Sequence, residues 1–515
     1  MSRLLAFLAK WEAWITFLVT AIFALLFFKH HYFISLDGSA HLYNANLMYH
    51  KIAGGFPLAD AYYEWNHLPV PNWTGHILLT ILNAFLPASD AEKVLLALML
   101  FFMVYAFRYV LKALGNPHGW MAILIVPFAF NTFLYYGFYN FCIGLSVVFW
   151  FVGFMFSRQE KLNWKTFSGY AGLLLLAYFS HLSAFILIGL FMCIWWPLTF
   201  IQSEKSNRFK LLFFMVAAIP SLALFVWYYF SGGKGDASQY IDTKMIIRYF
   251  HHVYPLITYG SEEERYTTKF FYLFGLMIVA ILVYRVYKKN WWEKSDVLLL
   301  LSGIAFFLAF VLPDSDGKGG FMTLRLVLYV YLFALAWLML QRGFEKAAPF
   351  LLVVFLFLGV RHFEMRDNTQ RVLSEMSSEI YRAGKQIKTD NTLLLPIWRP
   401  ASWDWITAHH ANIIGGDQKV LILENYETPQ AYFPLKYKEG HPEPIVLSTG
   451  PDFMCGTFLQ EWKAQTQFAE YVLEYGTDLN MEYPCEKDLD TLLHHHYKIV
   501  EEGKYIRLYQ RNSKP

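Results

Sequence analysis

The chain up to residue 361 alternates apolar runs with polar connections, and each run is about long enough to cross a hydrocarbon core as a helix. These runs lie near residues 11–29, 90–111, 119–135, 141–157, 166–180, 182–201, 210–230, 269–287, 296–312, 322–340 and 347–361. No small-residue cleavage site follows the first run, which indicates an uncleaved span. Charged residues make up only 16% of the chain, whereas soluble domains usually carry about 25%. The sequence therefore predicts a polytopic α-helical membrane protein with about eleven transmembrane helices.

Lysine and arginine residues cluster in alternate connections between these runs. They are Arg108, Lys112, Arg158, Lys161, Lys165, Lys205, Arg208, Lys210, Arg285, Lys288, Lys289, Arg342 and Lys346. By the positive-inside rule these connections are cytoplasmic, and Arg3 and Lys10 place the N-terminus in the cytoplasm as well. An odd number of spans then places the chain after about residue 365 outside the cytoplasm. The net charge of +3 is too small to indicate a nucleic-acid partner.

Composition divides the chain into two predicted domains. Residues 1–365 hold the apolar runs and a first exported loop, 30–89, in which two short helices are expected to lie at the membrane surface. Residues 366–515 are richer in Pro, Asn, Asp and Glu, as expected for a water-soluble domain. A helical pattern in RVLSEMSSEIYRAGKQI and strand patterns in NTLLLPIW, KVLILEN, EYVLEYG and YIRLYQR predict a mixed α/β domain there. Cys455 and Cys485 both fall in this domain, where oxidising conditions would let them pair.

Several polar side chains stand close to apolar runs in the exported connections. Asp37 and His41 lie in ISLDGSAHLYNANLMYH, directly after the first run. The candidates for binding a substrate are Glu64, His67, Asn140, His181, Arg248 and His252. Plainer explanations exist, because Asp37 could cap a helix that begins in DGSAH and His181 could be satisfied between helices. The acidic run SEEER, 261–265, is expected to be solvated.

The stretch DSDGKGGFMTLR, 314–325, is a candidate for binding phosphate. Its glycines free the backbone to wrap an anion, and Lys318 and Arg325 supply positive charge. The alternative is a flexible loop from which the Arg325 side chain reaches lipid headgroups.

The layout of residues 10–365 resembles the GT-C superfamily of integral-membrane glycosyltransferases, which includes protein O-mannosyltransferases, aminoarabinose transferases of lipid A and oligosaccharyltransferases. These enzymes carry an Asp in the first exported loop just after the first span, and Asp37 in SLDGSAHLYNA matches it. PNWTGHILLTIL, GFYNFCIGL and YFSHLSAF also resemble stretches of bacterial membrane proteins of this class. The chain departs from the family in two ways: Gly38 stands where several families have a second acid, and the second exported loop has no acid.

The resemblance implies an enzyme of the bacterial inner (plasma) membrane that takes a sugar from a polyprenyl phosphate or diphosphate to a glycan, lipid or protein acceptor. Asp37 would be the catalytic base of an inverting displacement, and His41 would tune or orient it. Arg325 and Lys318 would hold the departing phosphate, with Arg248 and His252 as weaker candidates. Glu64 and His67 would bind sugar or acceptor hydroxyls. No cofactor is certain, although Asp37 and His41 could supply two ligands to a divalent metal.

Other hypotheses stay open at this point. A transporter or flippase for lipid-linked saccharides would use the same polar loops, but it is expected to carry ionisable residues deep inside the spans. If the membrane part were only an anchor, the exported domain would carry recognition, and the acid and histidines of the first loop would be dispensable. An acyltransferase or a divalent-metal phosphotransferase is a further hypothesis.

Overall fold

The computed structural model describes residues 2–161, 163–201, 207–231, 238–315, 319–387, 392–399, 405–430, 432–439, 469–480 and 485–512. The helices, numbered along the chain, are α1 (Ser2–Lys10), α2 (Glu12–Ala24), α3 (Gly38–Ala53), α4 (Pro57–Tyr62), α5 (Thr74–Asn83), α6 (Ala88–Ala113), α7 (Val126–Ala129), α8 (Thr132–Tyr135), α9 (Tyr139–Arg158), α10 (Trp164–Ser180), α11 (Leu182–Ile201), α12 (Asn207–Ser231), α13 (Thr243–His251), α14 (Glu264–Tyr287), α15 (Asp296–Val311), α16 (Met322–Met339), α17 (Phe344–Gly384), α18 (Asn412–Asp417) and α19 (Glu486–His496). The strands are β1 (Tyr63–Trp65), β2 (Thr392–Trp398), β3 (Val420–Ile422), β4 (Leu435–Tyr437), β5 (Tyr471–Tyr475), β6 (Tyr497–Glu502) and β7 (Ile506–Arg511).

The chain forms two compact units. Unit 1 consists of Met1–Leu26, Ala97–Leu134 and Tyr139–Arg366, and unit 2 consists of Phe27–Leu96, Tyr135–Phe138 and Asp367–Pro515. The sequence placed its domain boundary between 365 and 366, next to the end of unit 1. The first exported loop, which the sequence assigned to the membrane part, groups in the structure with the C-terminal residues.

Six helices in the described part of the chain are long and apolar enough to cross a membrane. They are α6, α9, α12 from Leu212 onward, α14 together with the turn from Ser261, α16 and α17. The pair α1 and α2, bent by 75°, makes a seventh if it is one span. Other apolar runs form shorter helices, such as Gly119–Ala129, Leu182–Leu198 and Asp296–Val311. The number of about eleven spans therefore stays a prediction.

Unit 1 contains a buried charged network that the sequence did not suggest. Glu263 is 3% exposed, and its Oε2 lies 2.6 Å from His362 Nε2 and 2.7 Å from Arg366 Nε. The Tyr259 backbone N–H donates to its Oε1 at 2.6 Å. The expectation that SEEER is solvated is therefore wrong for Glu263, because α17 supplies a buried cation and a histidine as its partners.

Unit 2 is built on a five-stranded sheet of order β3-β2-β5-β7-β6. β2 runs parallel to both β3 and β5, whereas β7 is antiparallel to β5 and β6. The helix and the four strands predicted in the C-terminal region are confirmed as part of α17 and as β2, β3, β5 and β7. The strand β1 of the first loop pairs antiparallel with β4, with Glu64 opposite Lys436. A backbone ladder thus joins the first loop to the C-terminal residues.

Helix α3 is buried from Gly38 to Met48 and packs against α5 and α18. The sequence predicted a helix here with one apolar face, but the structure covers its polar side as well. Asn44 and Asn425 exchange amide hydrogen bonds at 2.9 and 3.1 Å, and Asn46 donates to the Gly415 carbonyl at 2.8 Å. Buried amides need such partners, so these bonds make the polar face of α3 part of the interior of unit 2.

Arg399 and Glu474 form a fully buried ion pair in unit 2, with Nη2–Oε1 at 2.5 Å and both side chains 1% exposed. We expect Arg399→Ala to destabilise the protein by about 3–5 kcal/mol, because it leaves a buried carboxylate without its cation. Arg371→Ala is the matched control, since the Arg371–Glu375 pair is about half exposed and should contribute less than about 1 kcal/mol. Thermal unfolding in detergent measures both, and equal small shifts would contradict the prediction.

Candidate active site

Asp37 stands directly before the first turn of α3, but its carboxylate does not cap the helix. It makes no side-chain capping hydrogen bond, and the Gly38 N–H donates instead to Ser35 Oγ at 3.1 Å. The Asp37 residue is nevertheless 7% exposed. The capping explanation therefore does not account for a buried carboxylate at this position.

A short segment of unit 2, Tyr135–Phe138, holds the backbone of Asp37 in place. The Leu36 N–H donates to the Tyr135 carbonyl at 3.0 Å, and the Asp37 N–H donates to the Tyr136 carbonyl at 3.2 Å. Gly137 has φ +76°, and a Cβ at this position would lie 2.7 Å from Gly38 N and 2.9 Å from Asp37 N. Glycine is required here because of both the left-handed backbone and the close approach.

The Asp37 carboxylate faces a histidine from the C-terminal part of unit 2. His409 Nε2 lies 4.0 Å from Asp37 Oδ1, and the ring of Tyr426 stacks on His409 with centroids 4.4 Å apart. Burial raises the pKa of Asp37, while the positive charges of His409 and His41 act in the opposite direction.

His409 is itself oriented by a buried acid. Its Nδ1 donates to Glu424 Oε1 at 2.8 Å, and Asn412 donates to Glu424 Oε2. Burial acts to lower the pKa of His409, but the charge and hydrogen bond of Glu424 outweigh it and raise the pKa. Glu424 therefore orients the His409 ring so that Nε2 faces the Asp37 carboxylate, and the raised pKa favours the protonated form of His409.

A second buried acid, Glu427, lies between two histidines of the first loop. Its Oε1 is 2.6 Å from His41 Nδ1, and its Oε2 is 2.7 Å from His76 Nε2. His41 Nε2 donates to the Gly137 carbonyl at 2.9 Å. Burial acts to raise the pKa of Glu427, but His76 and His41 outweigh it and lower the pKa to about 2. His41 is thus bonded to both Glu427 and Gly137.

The acids Glu424 and Glu427 lie in the sequence ENYE, just beyond the carboxyl end of β3. Ligand sites of open sheets with parallel strands usually form beyond the carboxyl ends of those strands. The Asn425 side chain accepts from the Glu427 N–H at 3.2 Å, and Thr428 donates to the Asn425 carbonyl at 3.1 Å. This local turn and the Asn44–Asn425 pair hold the segment against α3, where Glu427 reaches His41, while Glu424 bonds to His409 and Asn412.

The other predicted site residues lie elsewhere in the two units. In unit 2, Glu64 forms a half-exposed ion pair with Lys436 at 3.0 Å, and His67 is exposed. In unit 1, Arg248 pairs with Glu264 at 2.6 Å and His252 bonds to Thr268 at 2.8 Å. Also in unit 1, His181 bonds to Ser183 at 2.8 Å, Asn140 is buried in α9, and the Arg325 guanidinium lies over the rings of Phe133 and Phe141.

Lys318 and Cys455 lie outside the described residues, so a Cys455–Cys485 bridge stays a prediction.

The structure adds site residues that the sequence did not single out. Glu424, Tyr426, Glu427 and His409 all come from the C-terminal region, which the sequence treated as an ordinary α/β domain. The available signal was two acids and an asparagine directly after a short strand pattern, in KVLILENYE. His76, in the first loop, was not among the predicted site residues either.

A scan against protein-family models finds no match, and no curated protein matches the sequence. Among solved structures, this chain is similar to ArnT from Cupriavidus metallidurans bound to undecaprenyl phosphate, with a TM-score of 0.52 and 9% identity. The match covers 97% of this chain and 98% of that chain. At this identity the likeness shows the fold. The chain has an ArnT-like fold, and its apolar helices make it an integral membrane protein, as the sequence predicted.

Gly137→Ala should destabilise the protein by at least about 1–3 kcal/mol, because the added methyl group meets the Asp37 backbone in a left-handed conformation. Gly115→Ala is the matched control, since Gly115 has a similar φ of +79° at a helix end but no neighbouring atom within 4 Å of an added Cβ. Thermal unfolding of both variants separates the cost of the backbone conformation from that of the contact. Equal losses in the two variants would show that Gly137 does not press against Asp37.

Proposed function

We propose that the protein is a glycosyltransferase that transfers a sugar from a polyprenyl phosphate carrier to an extracytoplasmic acceptor, with Asp37 as the general base. One observation carries the proposal: a buried carboxylate with no capping role faces a histidine in a chain of ArnT-like fold. The solved ArnT structure contains undecaprenyl phosphate, which supports a carrier of this class.

The proposed reaction is a single displacement at the anomeric carbon. The acceptor hydroxyl attacks this carbon and loses its proton to the Asp37 carboxylate, while the bond from the carbon to the phosphate oxygen breaks. The electron pair of that bond leaves with the polyprenyl phosphate. The configuration at the anomeric carbon is inverted, because the acceptor oxygen enters opposite the departing phosphate.

His409 and Glu424 support Asp37 in this scheme as positioning residues. The Glu424 carboxylate fixes the proton of His409 on Nδ1, so Nε2 faces Asp37. A positive imidazole at this position favours the ionised carboxylate, which is the form that can accept a proton. Burial has the opposite effect and makes the carboxylate a stronger base than an exposed aspartate.

The phosphate of the carrier needs a cation, and Arg325 stays our candidate. A guanidinium can donate two parallel hydrogen bonds to phosphate oxygens. The rings of Phe133 and Phe141 lie against the planar guanidinium of Arg325 and support it by cation–π contacts. Lys318, Arg248 and His252 remain weaker candidates, and Glu64 and His67 remain candidates for sugar or acceptor hydroxyls. We also propose the orientation given by the positive-inside rule, with the N-terminus in the cytoplasm and unit 2 outside.

Asp37→Asn should leave a folded protein whose transfer rate is lower by roughly a hundred- to ten-thousand-fold, the usual effect of removing a general base. The assay presents labelled undecaprenyl-phosphate sugars one at a time, with envelope extract as the source of acceptor. The release of undecaprenyl phosphate is then measured. Asp60→Asn, in a half-exposed ion pair of the same unit, is the matched control and should stay near the parent rate.

A rate for Asp37→Asn within about threefold of the parent would exclude a base role, since base removal costs far more than this. Movement of intact lipid-linked sugar across vesicles, with no transfer, would favour the transporter hypothesis instead.

As the pH is lowered, activity should be half lost at a pH above the ordinary aspartate pKa of about 3.9. The reason is that Asp37 accepts a proton only when it is ionised, and burial raises its pKa. The positive charge of His409 lowers that pKa, so His409→Gln raises it further. The activity of His409→Gln should therefore be lost at a higher pH than that of the parent. The exposed His495→Gln is the control, and an unmoved acid limb in His409→Gln would contradict the role of His409.

A further inference from the structure

We propose that His41, His76 and Glu427 form a binding site for a divalent transition metal, with zinc as the best match to the ligands. The site is independent of the proposed function, since it uses neither Asp37 nor a substrate. The three ligand atoms lie within 4.8 Å of one another. The side chains are at most 5% exposed, and they come from α3, α5 and the segment after β3.

The orientation of His41 is that of a metal ligand. A carbonyl oxygen only accepts hydrogen bonds, so the bond to Gly137 places the His41 proton on Nε2. In the neutral imidazole, the lone pair on Nδ1 then points at Glu427 Oε1, 2.6 Å away. Metal-bound histidines almost always donate their other N–H to a carbonyl or carboxylate in this way, which fixes the tautomer and the ring direction.

Two nitrogen–oxygen contacts on one carboxylate require something positive between the atoms. At 2.6 and 2.7 Å, lone pairs of His41 and His76 would repel those of Glu427 unless a proton or a metal ion lies between them. Protons on the imidazoles are the alternative. Ligands of tetrahedral zinc lie about 3.4 Å apart for metal–ligand bonds near 2.0–2.1 Å, so a shift of about 1 Å in the carboxylate makes room for the ion.

The ligand types favour zinc over the alkaline-earth ions. Two imidazoles and one glutamate form a known zinc ligand set, whereas calcium and magnesium prefer oxygen ligands alone. The Phe433 ring packs against both imidazoles, with centroids 6.2 Å from His41 and 5.4 Å from His76. An apolar wall of this kind limits water at the site and strengthens the attraction of the ligands for a cation. The bound ion would tie α3, α5 and the ENYE segment together.

The test is the metal content of the full-length protein, purified in detergent with a histidine-free affinity tag and without chelators. Mass spectrometry of the elements should find about one zinc per chain. His76→Gln and Glu427→Gln should each lower the zinc content at least about tenfold, because each removes a ligand. His67→Gln, an exposed histidine of the same unit, should keep the parent content. Zinc unchanged in both ligand variants would overturn the proposal.

If those variants fail to fold, experiments on the parent protein alone test whether it binds zinc at this site. After removal of metal with EDTA, titration with ZnCl2 should restore one site and raise the thermal midpoint. X-ray absorption at the zinc edge should then show imidazole scattering from two histidines. Stripped protein that binds no added zinc would establish the protonated pair instead, and a shell containing sulfur would place the zinc elsewhere; either result contradicts the proposal.

Discussion

The carboxylate of Glu427, buried between two imidazoles, is the interaction that joins the elements of the candidate site in unit 2. A buried carboxylate without partners costs several kcal/mol, so this acid is stable only where His41 and His76 both reach it. Each of the three residues comes from a different element, and their meeting places α3, α5 and the turn after β3 together. His41 in turn bonds to Gly137, whose close approach holds the Asp37 backbone. These contacts connect Glu427, through His41 and Gly137, to the Asp37 backbone.

Neighbouring residues at the start of α3 make different contacts. Ser35 accepts the hydrogen bond of the first turn, so the Asp37 carboxylate does not serve the helix. The Ser39 hydroxyl donates to the His409 carbonyl at 2.7 Å and holds the facing segment close. The pKa of Asp37 then reflects two opposing effects, burial and the positive imidazole of His409. A carboxylate that does not cap a helix, and whose pKa is shifted by its surroundings, is suited to proton transfer.

The sequence was sufficient for features that depend on local pattern. Hydropathy located α6, α9, α12, α14, α16 and α17, and alternation located β2, β3, β5 and β7, because each pattern repeats within a few residues. Asp37 and His41 stood out as polar residues next to an apolar run. Glu427 did not, because it is 386 positions from His41 and only the folded chain brings the two together. Glu263 was misjudged for the same reason, since its partner Arg366 is 103 positions away.

The central claim is that Asp37 lies where a lipid-linked sugar reacts. The most direct measurement is a cryo-electron microscopy structure of the purified protein with undecaprenyl phosphate, the product expected to remain after transfer. The account predicts phosphate density facing the Asp37 carboxylate, with room between them for a sugar ring, and the same density in Asp37→Asn. Phosphate bound only at a place remote from Asp37, with that carboxylate enclosed by protein, would contradict the account.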